Sequence, residues 1–284
     1  MPTILFPTDF SDAATRAFIY ALKLADKMGA RIVTLHAFTR PDMSGFSHIP
    51  RNLEEFYNSI DLYEFEDYKS AVPQLDAIQE AQGLMSVEVV HTLQEGDTVE
   101  LILERAKKEA ASLIVLGTTG ARGLKEILLG SVAGEVLENA CCPVLAVPEQ
   151  AVFDGKLDNI AFTTTFSEEE VNGLKKVIET FAVFDSNIHC VNVDLSHAAA
   201  YHHRKDDFAQ HFASFPRVKM KVLDGDDFQS VLTDYLTDQQ IDIVAMVTHK
   251  RSFFEELFNY SKTKSLSYHS RTPVLSLPVD SLCG

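Results

Sequence analysis

Gly117, Gly120, Gly130 and Ser131 follow the apolar run Leu113-Ile114-Val115-Leu116 in the spacing G-x2-G-x9-G-S. Residues of these types at this spacing suit an anion. Glycines at the carboxyl end of a strand let backbone N–H groups approach a phosphate closely, and they admit the left-handed backbone that a Cβ would strain. A helix starting near Ser131 adds free amides, the positive end of a helix dipole and one hydroxyl donor. Near the amino terminus, Pro7-Thr8-Asp9 follows another short apolar run, Ile4-Leu5-Phe6. Other phosphate and metal signatures are missing from the sequence: it has no G-x-x-x-x-G-K-[ST], no G-x-G-x-x-G after a strand and no HExxH. Asp9 and the nearby hydroxyls form no obvious water-activating pair, so these residues are equipped for binding more than for hydrolysis. Arg122 and Lys125, inside the nine-residue stretch, suit either an offset to phosphate charge or a solvated loop face.

The elements that must hold these residues alternate. Short apolar runs at residues 3–6, 31–37, 86–91, 113–116 and 143–147 read as five strands, with helices between them. Ser11 is placed as an N-cap before the stripe Ala14, Ala17, Phe18, Ala21, Leu22 and Ala25, and Gly29 closes that helix. Alternating strands and helices build a parallel sheet covered on both faces. In such sheets ligands bind outside the carboxyl ends of the strands, where Asp9, Ala37 and Gly117 would meet.

The pattern then repeats. Ile4-Leu5-Phe6-Pro7-Thr8-Asp9-Phe10-Ser11 returns as Ile160-Ala161-Phe162-Thr163-Thr164-Thr165-Phe166-Ser167, an offset of 156, with Ser167 and Glu170 reading as a capping box. Glu95-Gly96-Asp97 returns as Asp224-Gly225-Asp226 at an offset of 129, which makes Asp226 the expected cap of the later helix. The segment between strands two and three is therefore longer in the first half than in the second. Pro148, Asp154 and Gly155 interrupt the periodicity, so two α/β domains are expected, at 1–149 and 150–284.

The glycine pattern together with Pro7-Thr8-Asp9 resembles the ATP-binding pattern of the universal stress protein family, and the likeness extends over both halves. The resemblance implies two doubly wound five-stranded parallel sheets of the HUP type, shared with adenine nucleotide alpha hydrolases, in strand order 3-2-1-4-5. It also implies ATP, with or without Mg²⁺, held by Pro7, Thr8, Asp9, Ala37, Leu116, Gly117, Gly120, Arg122, Gly130, Ser131 and Val132. On this reading Asp9 faces adenine or ribose, the Ala37 backbone meets the adenine edge, and the glycines, Ser131 and Val132 hold the phosphates. Family members often dimerise through the last strand, so 143–147 and 273–277 are expected to pair within the chain as a pseudo-dimer, and a homodimer stays open as well.

The second half departs from the pattern. Thr165 replaces Asp9, Met246 aligns with Gly117, His249 or Lys250 with Gly120, and Tyr260 with Gly130, leaving Ser261. Side chains where the backbone must be left-handed cost about 1–2 kcal/mol each, so this half reads as a partner that keeps the fold.

Composition narrows the function classes. A formal charge of −16 over 284 residues repels nucleic-acid backbones and anionic lipid. No basic-then-apolar leader opens the sequence and no apolar run reaches the ~18–20 residues of a membrane span, so a cytoplasmic location is expected. Cys141, Cys142, Cys190 and Cys283 make no C-x-x-C pair. His203, Asp207 and His211 share a helical face, but the Tyr201, Phe208, Phe212 and Phe215 stripe explains that segment as an amphipathic helix. Tyr57, Ile60, Tyr68, Val72 and Leu75 likewise read as helix core. The expected function is an ATP-binding regulatory protein of the stress response. A slow ATPase or self-phosphorylating enzyme and a nucleotide-free interaction scaffold are the alternatives.

Overall fold

The computed structural model describes residues 1–43, 52–118, 130–195, 200–247 and 271–278. In chain order the first half runs β1 Thr3–Pro7, α1 Asp12–Met28, β2 Arg31–Phe38, α2 Leu53–Ala81, β3 Val89–Glu95, α3 Thr98–Lys108, β4 Leu113–Gly117, α4 Ser131–Asn139 and β5 Val144–Val147. The second runs β6 Asn159–Thr163, α5 Glu169–Thr180, a short 3-10 turn Ala182–Phe184, β7 Asn187–Asp194, α6 Ala200–Gln210, β8 Val218–Asp224, α7 Phe228–Asp238, β9 Ile243–Val247 and β10 Val274–Leu277. The third strand thus starts at Val89, not at the expected 86, because Val87 is taken up in the turn that donates its amide to the Leu84 carbonyl.

The strands form one sheet in the order β3-β2-β1-β4-β5-β10-β9-β6-β7-β8. The first half keeps 3-2-1-4-5, and the second repeats it in mirror order. Within each half the neighbours are parallel, while β5 and β10 pair antiparallel with Leu145 opposite Leu275. This arrangement fits an intramolecular pseudo-dimer. Core strands buried on both faces carry continuous apolar runs, as Ile4-Leu5-Phe6 and Ile160-Ala161-Phe162 do. One face is covered by α1, α2, α5 and α6, the other by α3, α4 and α7.

Local chemistry sets the helix ends. The Ser11 hydroxyl accepts from the Ala14 amide, and Gly29 closes α1 at φ +59 as expected. The later cap differs from expectation: Asp227, not Asp226, accepts from the Ser230 amide. One extra residue therefore follows β8, and from there the halves align at an offset of 130, Leu113–Gly117 matching Ile243–Val247. The aromatic residues of α2 also differ. Leu75 is buried, but Tyr57, Ile60, Tyr68 and Val72 are only half-buried.

The connection between the halves is packed. The Phe153 ring lies 5.1 Å from that of Tyr20 and 5.9 Å from that of Phe184, and Lys23 Nζ donates to the Phe153 carbonyl at 3.1 Å. Burial, with Asp242 and Asp154 near, pushes the Tyr20 hydroxyl up and keeps it neutral. Ser276 Oγ on β10 donates to the Leu137 carbonyl on α4 at 3.0 Å, a second bond across the seam. No helix among the described residues is long and apolar enough to cross a membrane. Phe153→Ala removes a buried ring from both halves at once and should cost about 3–5 kcal/mol, read as a lower urea midpoint at unchanged slope.

Candidate functional site

The carboxyl ends of β1, β2 and β4 meet where the strand order reverses, and Pro7, Thr8, Asp9, Ala37, Leu116 and Gly117 all lie there. Thr8 is held from three sides. Its amide donates to the Leu35 carbonyl at 2.9 Å, its hydroxyl accepts from the Phe10 amide at 3.0 Å, and His36 Nδ1 donates to its carbonyl at 2.8 Å. Asp9 is exposed, and its carboxylate accepts from the Ser11 amide at 3.1 Å.

Phe10 carries the turn at φ 57, a left-handed backbone that costs a side-chain-bearing residue about 1–2 kcal/mol. Ring packing offsets that cost: its centroid lies 5.0 Å from His36 and 6.0 Å from Tyr68. The second half repeats the device. Phe166 sits at φ 58, its amide donates to Thr164 Oγ1 at 2.8 Å, and Asn192 Nδ2 donates to the Thr164 carbonyl at 2.8 Å. Reading the site motif alone missed His36 and Phe10, although aligning His36 with Asn192 and Phe10 with Phe166 across the repeat exposes them as the support of this turn.

On the β4 side, the Thr118 amide donates to the Val147 carbonyl at 3.2 Å and the Gly130 amide to the Thr118 carbonyl at 2.9 Å. The two ends of the 119–129 segment thus come together; Gly120, Arg122 and Lys125 lie outside the described residues. The first bond within α4 runs from the Gly134 amide to the Gly130 carbonyl, so the amides of Ser131, Val132 and Ala133 precede it. Gly130, at the N-cap position, has no side chain to cap them, whereas Ser11, Asn52, Asp97 and Asp227 cap α1, α2, α3 and α7. Ser131 and Val132 are exposed at this end. An uncapped, exposed helix start with a hydroxyl at its first position can take an anion.

The glycines act differently from the expectation. Gly130 has φ −57 and Gly117 ends a paired strand, so neither needs the left-handed backbone. A Cβ on Gly130 would sit 3.4 Å from the Thr118 carbonyl, an ordinary contact, and its amide is already spent on that carbonyl.

In the second half the place at the carboxyl ends of β6 and β9 is filled from within. The shift in alignment makes Val247, not Met246, the counterpart of Gly117; Met246 is a buried core residue matching Leu116. Val247 packs toward α5, where Gly173 makes room, and Gly173 stands where α1 has Ala17. Glu170 replaces Ala14 and is 5% exposed. Its carboxylate accepts from Thr164 Oγ1 at 2.7 Å, the Thr165 amide at 3.0 Å, Thr165 Oγ1 at 3.3 Å and the Ser167 amide at 3.0 Å. The donors of this loop are thereby spent on the protein's own anion. Tyr260 and Ser261 lie outside the described residues. Cys142 and Cys190 are buried, and burial pushes the Cys142 thiol up to about 11, which fits packing and not nucleophilic chemistry.

A doubly wound parallel sheet whose order reverses between β1 and β4 defines the class of the fold as α/β. Residues 1–148 match the model of the universal stress protein family, and the chain belongs to that family. It is 37% identical over 145 residues to universal stress protein MJ0531 of Methanocaldococcus jannaschii, covering 51% of this chain and 80% of that protein. It is 31% identical over 149 residues to universal stress protein YxiE of Bacillus subtilis, covering 51% and 97%. Among solved structures, a universal stress protein from Archaeoglobus fulgidus is similar over 97% of this chain and 96% of its own, with a TM-score of 0.65 at 18% identity, a likeness of fold.

A methyl group added at Gly173 would lie 2.3 Å from Val247 Cγ2. Gly173→Ala should therefore destabilise the protein by about 1–3 kcal/mol despite its better helix propensity. In a Val247→Ala background the same substitution should be neutral or stabilising, a coupling that a double-mutant cycle in urea reads directly.

Proposed function

We propose that residues 1–149 form a nucleotide-binding domain that holds ATP, with or without Mg²⁺, and that residues 150–284 form a partner domain of the same fold without a nucleotide. The observation that carries this reading is the uncapped start of α4 beside the Thr8–Asp9 turn, set against a second half whose loop amides are taken by Glu170. The family's ATP pattern, matched from Gly117 to Ser131, supports the choice of ligand. Asp9 and the Ala37 backbone are suited to the nucleoside end. Ser131, Val132 and the amides of α4 are suited to the phosphates, with Gly130 keeping the approach clear and exposed Val132 offering an apolar wall. Gly120 and Arg122 are proposed to complete the phosphate side.

ATP would act as a switch on the contacts of a cytoplasmic molecule, which requires different affinities for two states of the protein. The seam at β5 and β10 is the route by which occupancy of one half reaches the other. Ligand that binds only the folded state at a hundredfold excess over Kd adds about 2.7 kcal/mol of stability, enough to raise the thermal midpoint measurably. Gly117→Val with Gly130→Tyr gives the first half the second half's residues. The double variant should stay folded yet lose the ATP-dependent rise in melting temperature; a folded variant with wild-type ATP affinity would defeat the assignment.

A further inference from the structure

The shorter second-half connection leaves a hole in the molecule. In the first half, residues 39–88 join β2 to β3, and their last part closes the sheet face over the amino ends of the strands. Leu75 is buried there, and Gln79 Nε2 donates to the carbonyls of Leu84 and Val87 at 2.9 and 2.7 Å, which locks the closing segment down. In the second half only residues 195–217 make the same connection, and α6 ends at Gln210. What remains is a cavity of about 260 Å³, bounded by the end of α5, the 3-10 turn and residues 215–218, and open to solvent on one side.

Its walls are apolar: Ile160, Val177, Phe181, Ile188 and Phe215 line it, and Phe215 is 39% exposed at the edge. Its mouth carries charge. Arg217 Nη1 donates to the Asp185 carbonyl at 2.6 Å, and its Nη2 pairs with the Asp185 carboxylate. The two side chains are 50% and 74% exposed, so this ion pair contributes little, and the guanidinium has further N–H donors to offer. At the Arg217 position the first half has Glu88, one residue before Val89 as Arg217 is one before Val218, so the positive charge belongs to the half that has the hole.

We propose that this cavity binds a short amphipathic monocarboxylate, its hydrocarbon chain among Ile160, Val177 and Ile188 and its carboxylate on Arg217. The volume sets the length: about 150 Å³ holds one benzene ring and drug-sized ligands need roughly 300–1,000 Å³, so a chain of about eight carbons suits the space. Charge sets the head group. A planar guanidinium fork matches a carboxylate, and the N–H groups of Arg217 not spent on Asp185 are the ones it offers. The site lies at the opposite ends of the strands from the nucleotide site, so failure of either assignment leaves the other standing.

Methyl NMR of the full chain tests this with octanoate as the probe, below its micelle threshold, and octanol as the neutral control. Octanoate should give saturable shifts at the Ile160, Val177 and Ile188 methyls and bind more tightly than octanol. Arg217→Gln should weaken octanoate about fivefold and leave octanol unchanged. Ala182→Trp, at an exposed residue on the rim, and Ile178→Phe as a second filling variant should abolish both. Unchanged melting temperature and unchanged methyl shifts away from the cavity show that these variants fold. Absence of saturable shifts, octanol binding as tightly as octanoate, or binding untouched by the filling variants would overturn the proposal.

Discussion

An edge strand must have its N–H and C=O groups paired, covered or protected, and the pairing of β5 with β10 meets that need for both halves together. Each is a four-residue strand buried along its whole length, which is unusual for an edge and natural for a strand in the middle of a wide sheet. Once that pair forms, the two reversal points of the sheet are fixed relative to each other, and Phe153 and Ser276 fasten the seam from either face. The antiparallel sense also gives the molecule its approximate two-fold relation between halves.

Against that near-symmetry, the two switch points have diverged by exchanges that keep the packing. The small Ala17 with Gly117 becomes Gly173 with Val247, so bulk moves from the helix to the end of the strand. Ala14 becomes Glu170, and its carboxylate now accepts from the Thr165 and Ser167 amides of the loop before α5. Both halves keep the strained phenylalanine turn and the side-chain donor to the Thr8 or Thr164 carbonyl, which marks these as features of the fold and not of a ligand. What differs is the amides at the start of α4 in the first half and the buried carboxylate of Glu170 in the second, and the proposed binding rests on that difference.

Much of this was legible in the sequence because it is periodic. The alternation of strands and helices, the repeat and the α1 caps follow from repeated apolar runs and from capping residues that act within four positions of where they stand, while the strand order came from the family resemblance, which also supported the seam. Alignment across the repeat was less secure, because the single residue added after β8 changes no pattern of hydrophobicity, and so Met246 stood in for Val247 and Asp226 for Asp227. Glycine type did not reveal backbone angle: Gly130 is extended at φ −57, while the left-handed residue of the site is Phe10. Glu170 was read only as a helix-capping partner of Ser167; that it also ties down Thr164 and Thr165 depends on burial that no local pattern encodes.

The claim at the centre of this account is that the start of α4 is open to an anion and the loop before α5 is held by the carboxylate of Glu170. Amide hydrogen exchange of the intact chain with and without saturating ATP measures that difference residue by residue. The account predicts that the Ser131, Val132 and Ala133 amides exchange fast in the free protein and become protected with ATP, while Thr165 and Ser167 are protected from the outset and do not change. Unchanged exchange at α4 in saturating ATP, or new protection appearing in the loop before α5, would contradict it.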